Sequence, residues 1–222
     1  MSGTGDVLLR ASGVTVRFGG LVAINALDLD VREGEVFALV GPNGAGKTTL
    51  LNCVSGFVRP SEGALTFAGT DLLALSRHRR ATLGIARTFQ NVQLFSSMTV
   101  LDNLLTAQHA QLRATFLTSM LPFGPAIAED RKGRERAQEM LALLGIERYS
   151  DAVAGALPFG VQKLVGVARA LVLHPRLVLL DEPAAGLPHA EVEHFAESLR
   201  RWRGALGTTF LLVEHNMPLV QQ

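Results

Sequence analysis

The sequence predicts an α/β fold with a mostly parallel sheet, an N-terminal antiparallel β subdomain and an inserted helical subdomain. Three observations lead to this prediction. Apolar and polar residues alternate in two early segments, Val7 to Phe18 and Ala26 to Val31. Short continuous apolar runs then follow, which are typical of strands buried on both faces of a parallel sheet. Residues from about Thr99 to about Gly145 favour helix instead.

The apolar runs mark the strands of the predicted parallel sheet. They are Val36 to Val40, Leu177 to Leu180 and Phe210 to Val213. Helical stretches separate them, one beginning near Lys47 and another covering Lys163 to Leu173. Buried strands that alternate with helices indicate an α/β core.

The middle of the chain forms the predicted insertion. Apolar residues recur at helical spacing in Val100–Leu105 and Ala137–Leu144, and a stretch rich in proline and glycine separates these two segments. We therefore expect one domain over the whole chain. Residues 1–87 and 157–222 form its core, and residues 88–156 form the insertion.

The composition narrows the classes of partner. Hydrophobic residues make up 48% of the 222 residues, and the net charge of +1 gives no overall field that would favour nucleic acid. Cys53 is the only cysteine, which excludes an internal disulfide and a cysteine-based metal cluster. We find no secretory signal and no run of the ~20 apolar residues that a spanning helix needs. We therefore expect a soluble protein, or one that a partner holds at a membrane.

A glycine-rich loop lies where a buried strand meets a helix. Its residues fit the pattern G-x-x-x-x-G-K-[ST], and they are Gly41, Pro42, Asn43, Gly44, Ala45, Gly46, Lys47 and Thr48. Such a loop directs backbone N–H groups at phosphate oxygens, and the helix N-terminus adds a favourable dipole. We expect Lys47 to bridge the β- and γ-phosphates of a nucleotide and Thr48 to bind Mg²⁺ through its hydroxyl. The core is therefore predicted to be that of a P-loop nucleoside triphosphatase.

Two carboxylates follow a second buried strand. A carboxylate at the C-terminal end of a strand can hold Mg²⁺ through a water molecule, which suits Asp181. The next carboxylate, Glu182, can orient or deprotonate an attacking water. The pair could also be solvated charges in a turn, but the phosphate loop makes that interpretation the weaker one.

With both motifs present, the chain resembles the ATP-binding cassette family over essentially its whole length. Further segments carry the resemblance: Arg87-Thr88-Phe89-Gln90-Asn91 resembles the glutamine loop, Leu157-Pro158-Phe159-Gly160-Val161-Gln162-Lys163 the signature, Ala185-Gly186-Leu187 the D-loop and Val213-Glu214-His215 the switch strand. The resemblance implies that Gln90 reaches Mg²⁺ and that His215 contacts the γ-phosphate. It also implies that Phe18 stacks on adenine, that Thr49 joins Thr48 at the nucleotide, and that Gly160 meets the ATP of a partner cassette.

The resemblance narrows to the cassettes of branched-chain amino acid importers. The segments typical of that subgroup are Phe18-Gly19-Gly20-Leu21, Arg87-Thr88-Phe89-Gln90, Asp181-Glu182-Pro183-Ala184-Ala185-Gly186-Leu187 and the extension between Thr106 and Arg131. They imply an ATPase that powers the import of branched-chain, hydrophobic amino acids. Relatives of the subgroup handle amides and urea, so these polar solutes stay open as cargo.

The resemblance also implies partners and a location. The cassette would pair with a copy of itself or with a homologue, as a homodimer or a heterodimer that buries ATP. Transmembrane permease subunits would dock on the Gln90 loop and the helical subdomain, and a solute-binding protein would take part indirectly. The chain would lie peripherally on the cytoplasmic face of the cell (inner) membrane, without contacting nucleic acid.

The chain departs from the family pattern at several positions. Pro158 replaces the signature serine and Val161 the following glutamine, so Gly160 would carry the γ-phosphate contact of that loop. Pro188 stands where the D-loop has aspartate, and communication between paired sites would differ accordingly. The chain stops at Gln222, and we expect that the family's usual C-terminal end is missing.

Other nucleotide-binding classes fit the sequence less well. A GTPase would share the phosphate loop, but the sequence has no Asn-Lys-x-Asp segment to read the base. A small-molecule kinase would leave Leu157–Lys163 unexplained. A soluble cassette ATPase of DNA repair or translation stays open as the alternative, although such proteins usually carry two cassettes or a long coiled coil.

Overall fold

The computed structural model describes residues 5–88, 94–109 and 125–214. The strands are β1 (Val7–Phe18), β2 (Leu21–Arg32), β3 (Val36–Val40), β4 (Glu62–Phe67), β5 (Thr70–Asp71), β6 (Ile85–Thr88), β7 (Leu177–Asp181) and β8 (Thr209–Glu214). The helices are α1 (Lys47–Ser55), α2 (Arg77–Thr82), α3 (Val100–His109), α4 (Pro125–Leu144), α5 (Phe159–Leu171) and α6 (His189–Leu206). The chain divides into two compact units: a core unit, Met1–Gln90 with Pro175–Gln222, and a helical unit, Asn91–His174.

An antiparallel sheet forms the N-terminal part of the core unit, as predicted. Its strand order is β2-β1-β4-β5. The alternation of residue types in β1 explains which face is buried, because Leu9 and Ala11 lie in the core while Arg10 between them is exposed. Arg10 Nε lies 2.7 Å from Asp30 Oδ1 on the neighbouring strand β2.

A parallel sheet with the strand order β3-β8-β7-β6 forms the rest of the core unit. Every residue of β7 and β8 is buried, as predicted for strands covered on both faces. The same prediction is wrong for β3, whose residues are only partly buried and whose Val40 is 40% exposed. The reason is that β3 lies at an edge of the described sheet, with β8 as its neighbour there.

Helix α1 follows β3 and packs into the core of the same unit. Leu50 and Leu51 are buried in one apolar cluster with Leu179 of β7. At the other end of α1, Arg80 Nη1 donates to the carbonyl oxygen of Cys53 at 2.6 Å and to that of Val54 at 3.0 Å. Burial raises the pKa of the Cys53 thiol to about 11, so this cysteine is a neutral core residue.

The helical unit contains α3, α4 and α5, which contact one another. Helix α5 begins at Phe159, earlier than the predicted start at Lys163. It belongs to this compact unit, whereas the sequence-based division assigns residues 157–222 to the core, and that division stays a prediction. Within the three described ranges, no helix combines the length and the apolar character that crossing a membrane would need.

Candidate active site

The glycine-rich loop joins β3 to α1 in a conformation that favours glycine. Gly44 and Gly46 both have a φ of 83°, in the left-handed region. A Cβ on Gly46 would lie 2.3 Å from the backbone oxygen of Ala23 in β2, so a side chain does not fit there. Gly46 is the N-cap of α1, and no side chain caps the first turn of this helix. The loop therefore meets the positive end of a helix, the arrangement that binds phosphate.

Lys47 folds back over this loop. Its Nζ donates to the carbonyl oxygen of Gly41 at 2.6 Å and to that of Pro42 at 2.8 Å. The residue is 7% exposed. The ammonium group is thus held within the loop, where phosphate oxygens would meet it.

A cleft of ≈ 560 Å³ opens beside the loop. Its lining comes from the loop, the start of α1, the hairpin between β1 and β2, and the end of β7: Phe18, Leu21, Val22, Ala23, Asn43, Gly44, Ala45, Gly46, Lys47, Thr48, Thr49 and Glu182. The cleft thus brings together most of the residues that the sequence assigns to a nucleotide. Gly41 and Pro42 are outside this lining and accept the hydrogen bonds of Lys47 instead.

The wall of the cleft at the hairpin is apolar. Phe18 is 49% exposed, and Leu21 and Val22, on the other side of the Gly19-Gly20 turn, are exposed as well. The sequence pattern identifies Phe18 but not Leu21 and Val22. The signal for these two residues is a run of four apolar residues, Leu21 to Ile24, ahead of the alternating part of the strand.

Asp181 lies at the end of β7, beside Thr48. Thr48 Oγ1 donates to Asp181 Oδ1 at 3.2 Å. The other carboxylate oxygen, Oδ2, accepts a hydrogen bond from Arg87 Nη2 at 2.9 Å. Arg87 belongs to β6, and its Nη1 also donates to Asn52 Oδ1 in α1 at 2.7 Å. In the sequence, Arg87 is recognisable only as part of a motif, and no local pattern predicts its contact with Asp181.

The hydroxyl of Thr48 and the carboxylate of Asp181 form a donor set that fits Mg²⁺. Both are hard oxygen ligands, and Mg²⁺ usually takes one or two protein ligands beside phosphate oxygens and waters. Among the described residues there is no cluster of three or more His, Cys, Asp or Glu side chains suited to a metal ion.

Glu182 occupies an unusual backbone conformation at the wall of the cleft. Its φ is 49°, which is uncommon for a residue other than glycine. Its N–H donates to Val213 O at 3.0 Å, and its carbonyl accepts from Ala185 N–H at 3.1 Å. The fully buried Glu214 also holds this turn, because its Oε1 accepts from Ala184 N–H at 2.9 Å. No local pattern in the sequence indicates this role of Glu214.

The signature segment lies in the helical unit, at the start of α5. Pro158 is the N-cap of α5 with a φ of −53°, and it makes no side-chain cap. Gly160 is in the first turn, where Gln162 N–H donates to Pro158 O at 3.0 Å. Pro188 is likewise the N-cap of α6 in the core unit. Gly160 therefore belongs to a different compact unit from the cleft residues.

Two predicted site residues, Gln90 and His215, lie outside the described residues. Their roles at the metal and at the γ-phosphate stay predictions.

Known proteins resemble this chain over nearly its full length. Residues 24–185 match the profile of the ABC transporter family. The chain is 40% identical to the high-affinity branched-chain amino acid transport ATP-binding protein BraF of Pseudomonas aeruginosa, over 96% of this chain and 84% of that protein. It is 39% identical, with the same coverage, to the high-affinity branched-chain amino acid transport ATP-binding protein LivG of Escherichia coli K12.

Solved structures share the fold. The ADP conformation of MJ1267, an ATP-binding cassette of an ABC transporter, superposes with a TM-score of 0.82 at 30% identity, covering 97% of this chain and 84% of that chain. The dimeric structure of MJ0796, a bacterial ABC transporter cassette, gives a TM-score of 0.79 at 25% identity, covering 96% of this chain and 90% of that chain. The architecture derived above is thus that of both cassettes.

Proposed function

Because the chain belongs to the ABC transporter family and is an ATPase of that family, we propose that it powers the import of branched-chain amino acids. The cargo is supported by the names of its relatives BraF and LivG, which it matches over 96% of its length. The observation that carries the proposal is the cleft, in which the phosphate loop, Phe18 and Glu182 surround one space.

In the proposed complex, the two ends of the cleft hold the two ends of ATP. The adenine ring stacks on Phe18, against Leu21 and Val22, because an aromatic face and apolar neighbours suit a flat base. The phosphates accept hydrogen bonds from backbone N–H groups of residues 43–49, at the positive end of α1. Lys47 exchanges its carbonyl partners for the β- and γ-phosphate oxygens.

Mg²⁺ would be held by Thr48, by Asp181 through water and by Gln90. When bound, it neutralises charge on the phosphates. Glu182 orients the attacking water and accepts its proton. Its left-handed backbone conformation and its position in the lining of the cleft support this role. His215 contacts the γ-phosphate in this assignment.

The active assembly in this proposal contains two cassettes. Gly160 and the first turn of α5 meet the ATP of a second cassette, which is either a copy of this chain or a homologue. The dimer found for MJ0796 supports pairing of this kind. Closure of the two cassettes over ATP would then supply the force for transport.

The dimer works at a membrane through other subunits. Permease subunits dock on the Gln90 loop and the helical unit, and a solute-binding protein delivers cargo to them. The chain lies peripherally on the cytoplasmic face of the membrane in this arrangement.

The test is uptake of radiolabelled leucine by cells of the source strain in which the gene is deleted and then restored. We expect uptake to return with the unaltered gene and not with Lys47→Ala, which removes the phosphate-binding ammonium. Arg203→Ala, which removes an exposed cation of α6 in the core unit, is the matched control and should restore uptake.

Uptake of labelled urea and of a labelled amide is measured in the same cells. If these depend on the gene and leucine uptake does not, the cargo is a polar solute and the ATPase role stands. If no uptake depends on the gene, the chain is a cassette ATPase with a role outside transport.

A further inference from the structure

Arg87 and Asp181 form a buried ion pair beside the phosphate loop. Their side chains are 9% and 4% exposed, and Arg87 Nη2 lies 2.9 Å from Asp181 Oδ2. The two residues come from neighbouring parallel strands, since Arg87 is paired with Leu179 in the register of β6 and β7. A fixed positive charge therefore lies against one oxygen of the carboxylate whose other oxygen, Oδ1, faces Thr48.

Helix α1 holds the guanidinium of Arg87 in place from the other side. Nη1 donates to Asn52 Oδ1 at 2.7 Å and to Ser55 Oγ at 3.3 Å. The guanidinium also lies 5.8 Å from the centre of the Phe57 ring. These partners hold the planar guanidinium on several edges, so its charge is pre-organised beside Asp181.

The position of this charge affects cation binding in two ways. A buried carboxylate without a counter-charge is strongly unfavourable, and Arg87 supplies that counter-charge to Asp181. A divalent cation that approaches Asp181 from solution is repelled by the same guanidinium. The phosphates of a bound nucleotide bring negative charge to the cleft and offset this repulsion.

We propose that Arg87 is the resident counter-charge of Asp181 and makes divalent-cation binding at Thr48 and Asp181 conditional on bound nucleotide. The proposal rests on the proposed function, in which Asp181 serves the metal of the nucleotide cleft. Arg87 is a positioning residue here, because it acts through Asp181 and not on the nucleotide itself.

The test measures Mn²⁺ binding to the purified chain without nucleotide, by the electron paramagnetic resonance of free Mn²⁺. We expect Arg87→Met to bind Mn²⁺ at least about tenfold more tightly than the unaltered chain, because charges a few ångström apart in a protein interact strongly. Arg87→Lys keeps the charge and should bind like the unaltered chain. When Arg87→Met is combined with Asp181→Asn, we expect Mn²⁺ to bind no more tightly than to the unaltered chain.

Arg176→Met is the matched control. It removes an arginine of the core unit whose ion pair with Glu33, at 2.8 Å, is half exposed. It should leave Mn²⁺ binding unchanged. The proposal is overturned if Arg87→Met binds Mn²⁺ no more tightly than the unaltered chain, or if the gain persists when Asp181 is also replaced.

Folding of the variants supplies a second result. If Arg87→Met does not fold and the double variant does, the buried carboxylate requires its counter-charge, as proposed. If neither folds, Arg87 is needed for packing and the proposal fails. Binding of a fluorescent ATP analogue to the unaltered chain with Mg²⁺ present tests the proposed function separately, because absence of binding would deny the nucleotide cleft whatever the Mn²⁺ result.

Discussion

Glu182 combines a chemically active position with an uncommon backbone conformation. Replacing it with glutamine keeps its size but removes its basicity. We expect Glu182→Gln to bind ATP normally and to lose roughly 10²–10⁴-fold in turnover, the usual contribution of a general base. Phosphate release measures turnover, and Glu197→Gln, at an exposed position of α6, is the control. Normal turnover in Glu182→Gln would assign the base to another residue.

Phe18 offers a half-exposed aromatic side chain at the apolar end of the cleft. Stacking of a base on an aromatic ring is worth roughly 1–3 kcal/mol, so Phe18→Ala should weaken ATP binding by about five- to a hundredfold. Phe18→Tyr keeps the ring and should bind ATP nearly as well. Titration with a fluorescent ATP analogue gives the affinities. If Phe18→Ala binds ATP as tightly as the unaltered chain, adenine binding would be assigned to Leu21 and Val22 instead.

Arg80 stabilises the C-terminal end of α1. It is 6% exposed, and burial lowers the pKa of its guanidinium while three carbonyl oxygens, those of Cys53, Val54 and Leu75, accept its hydrogen bonds. Arg80→Met removes a charged donor from them and should lower the free energy of unfolding by about 2–3 kcal/mol. Arg79 is an exposed neighbour of Arg80 in α2, and Arg79→Met should change the free energy of unfolding by less than about 0.5 kcal/mol. Urea titrations compare the two variants. Equal changes in the free energy of unfolding would contradict a stabilising role for Arg80.

Local patterns in the sequence identify some of these residues and not others. The phosphate loop is recognisable because its residue types and spacing are contiguous. Arg87 and Asp181 are 94 positions apart, and Ala184 and Glu214 are 30 positions apart, so only the fold brings each pair together. Such contacts cannot be predicted from a local pattern.

Among the elements, α5 shows how proline determines where a helix begins. Proline fits the start of a helix, since its fixed φ suits the helix and no N–H is needed there. The stretch predicted as helix is Lys163 to Leu173, but Pro158 also suits a helix start, and the helix begins directly after it, at Phe159. Strands β7 and β8 were predictable from their apolar runs. The partial exposure of β3 was not, because edge position depends on strand order.

The start of α5 also carries a prediction about pairing of cassettes. In a Glu182→Gln background, Pro158→Ser adds a hydroxyl donor and should tighten ATP-driven dimerisation by roughly tenfold or more, as expected for one charge-assisted hydrogen bond. Gly160→Asp places a carboxylate against the γ-phosphate and should abolish dimerisation while ATP still binds the monomer. Sedimentation measures both effects.

The control for Gly160→Asp is Gly204→Asp in α6. A Cβ on Gly204 meets no atom within 4 Å, so the added carboxylate has room there. That variant should dimerise normally. If Gly160→Asp also dimerises and hydrolyses ATP normally, Leu157–Lys163 is not a signature loop and the paired-site mechanism fails.

In the molecule as a whole, the helical unit has exposed apolar side chains. Phe95 is 44% exposed and Met98 is 40% exposed. Two side chains hold Phe95 in this position. Asn103 accepts a hydrogen bond from the backbone N–H of Phe95 through Oδ1 and donates one to its carbonyl through Nδ2. The guanidinium of Arg169 lies 5.2 Å from the centre of the Phe95 ring. Exposed apolar residues held in this way are suited to contact a permease subunit.

We expect Phe95→Glu to spare ATP hydrolysis by the isolated chain and to reduce leucine uptake by cells strongly, because a charge opposes apolar docking. Arg134→Glu, at an exposed position of α4, is the control and should leave uptake unchanged. Thermal unfolding is measured alongside. A large drop in the melting temperature of Phe95→Glu would place this residue in the interior of the helical unit and contradict the docking role.

The close approach of Gly46 to Ala23 ties the phosphate loop to strand β2, because a Cβ on Gly46 would lie against the backbone oxygen of Ala23. Leu21 and Val22 directly precede Ala23 in β2 and line the same cleft. One strand therefore holds an apolar surface next to the phosphate loop. We expect a molecule that joins an apolar ring to a phosphate group to contact both surfaces. Joining two weak contacts in one molecule raises the effective concentration of the second to about the millimolar range, so adenosine alone or inorganic phosphate alone should compete poorly with the intact nucleotide.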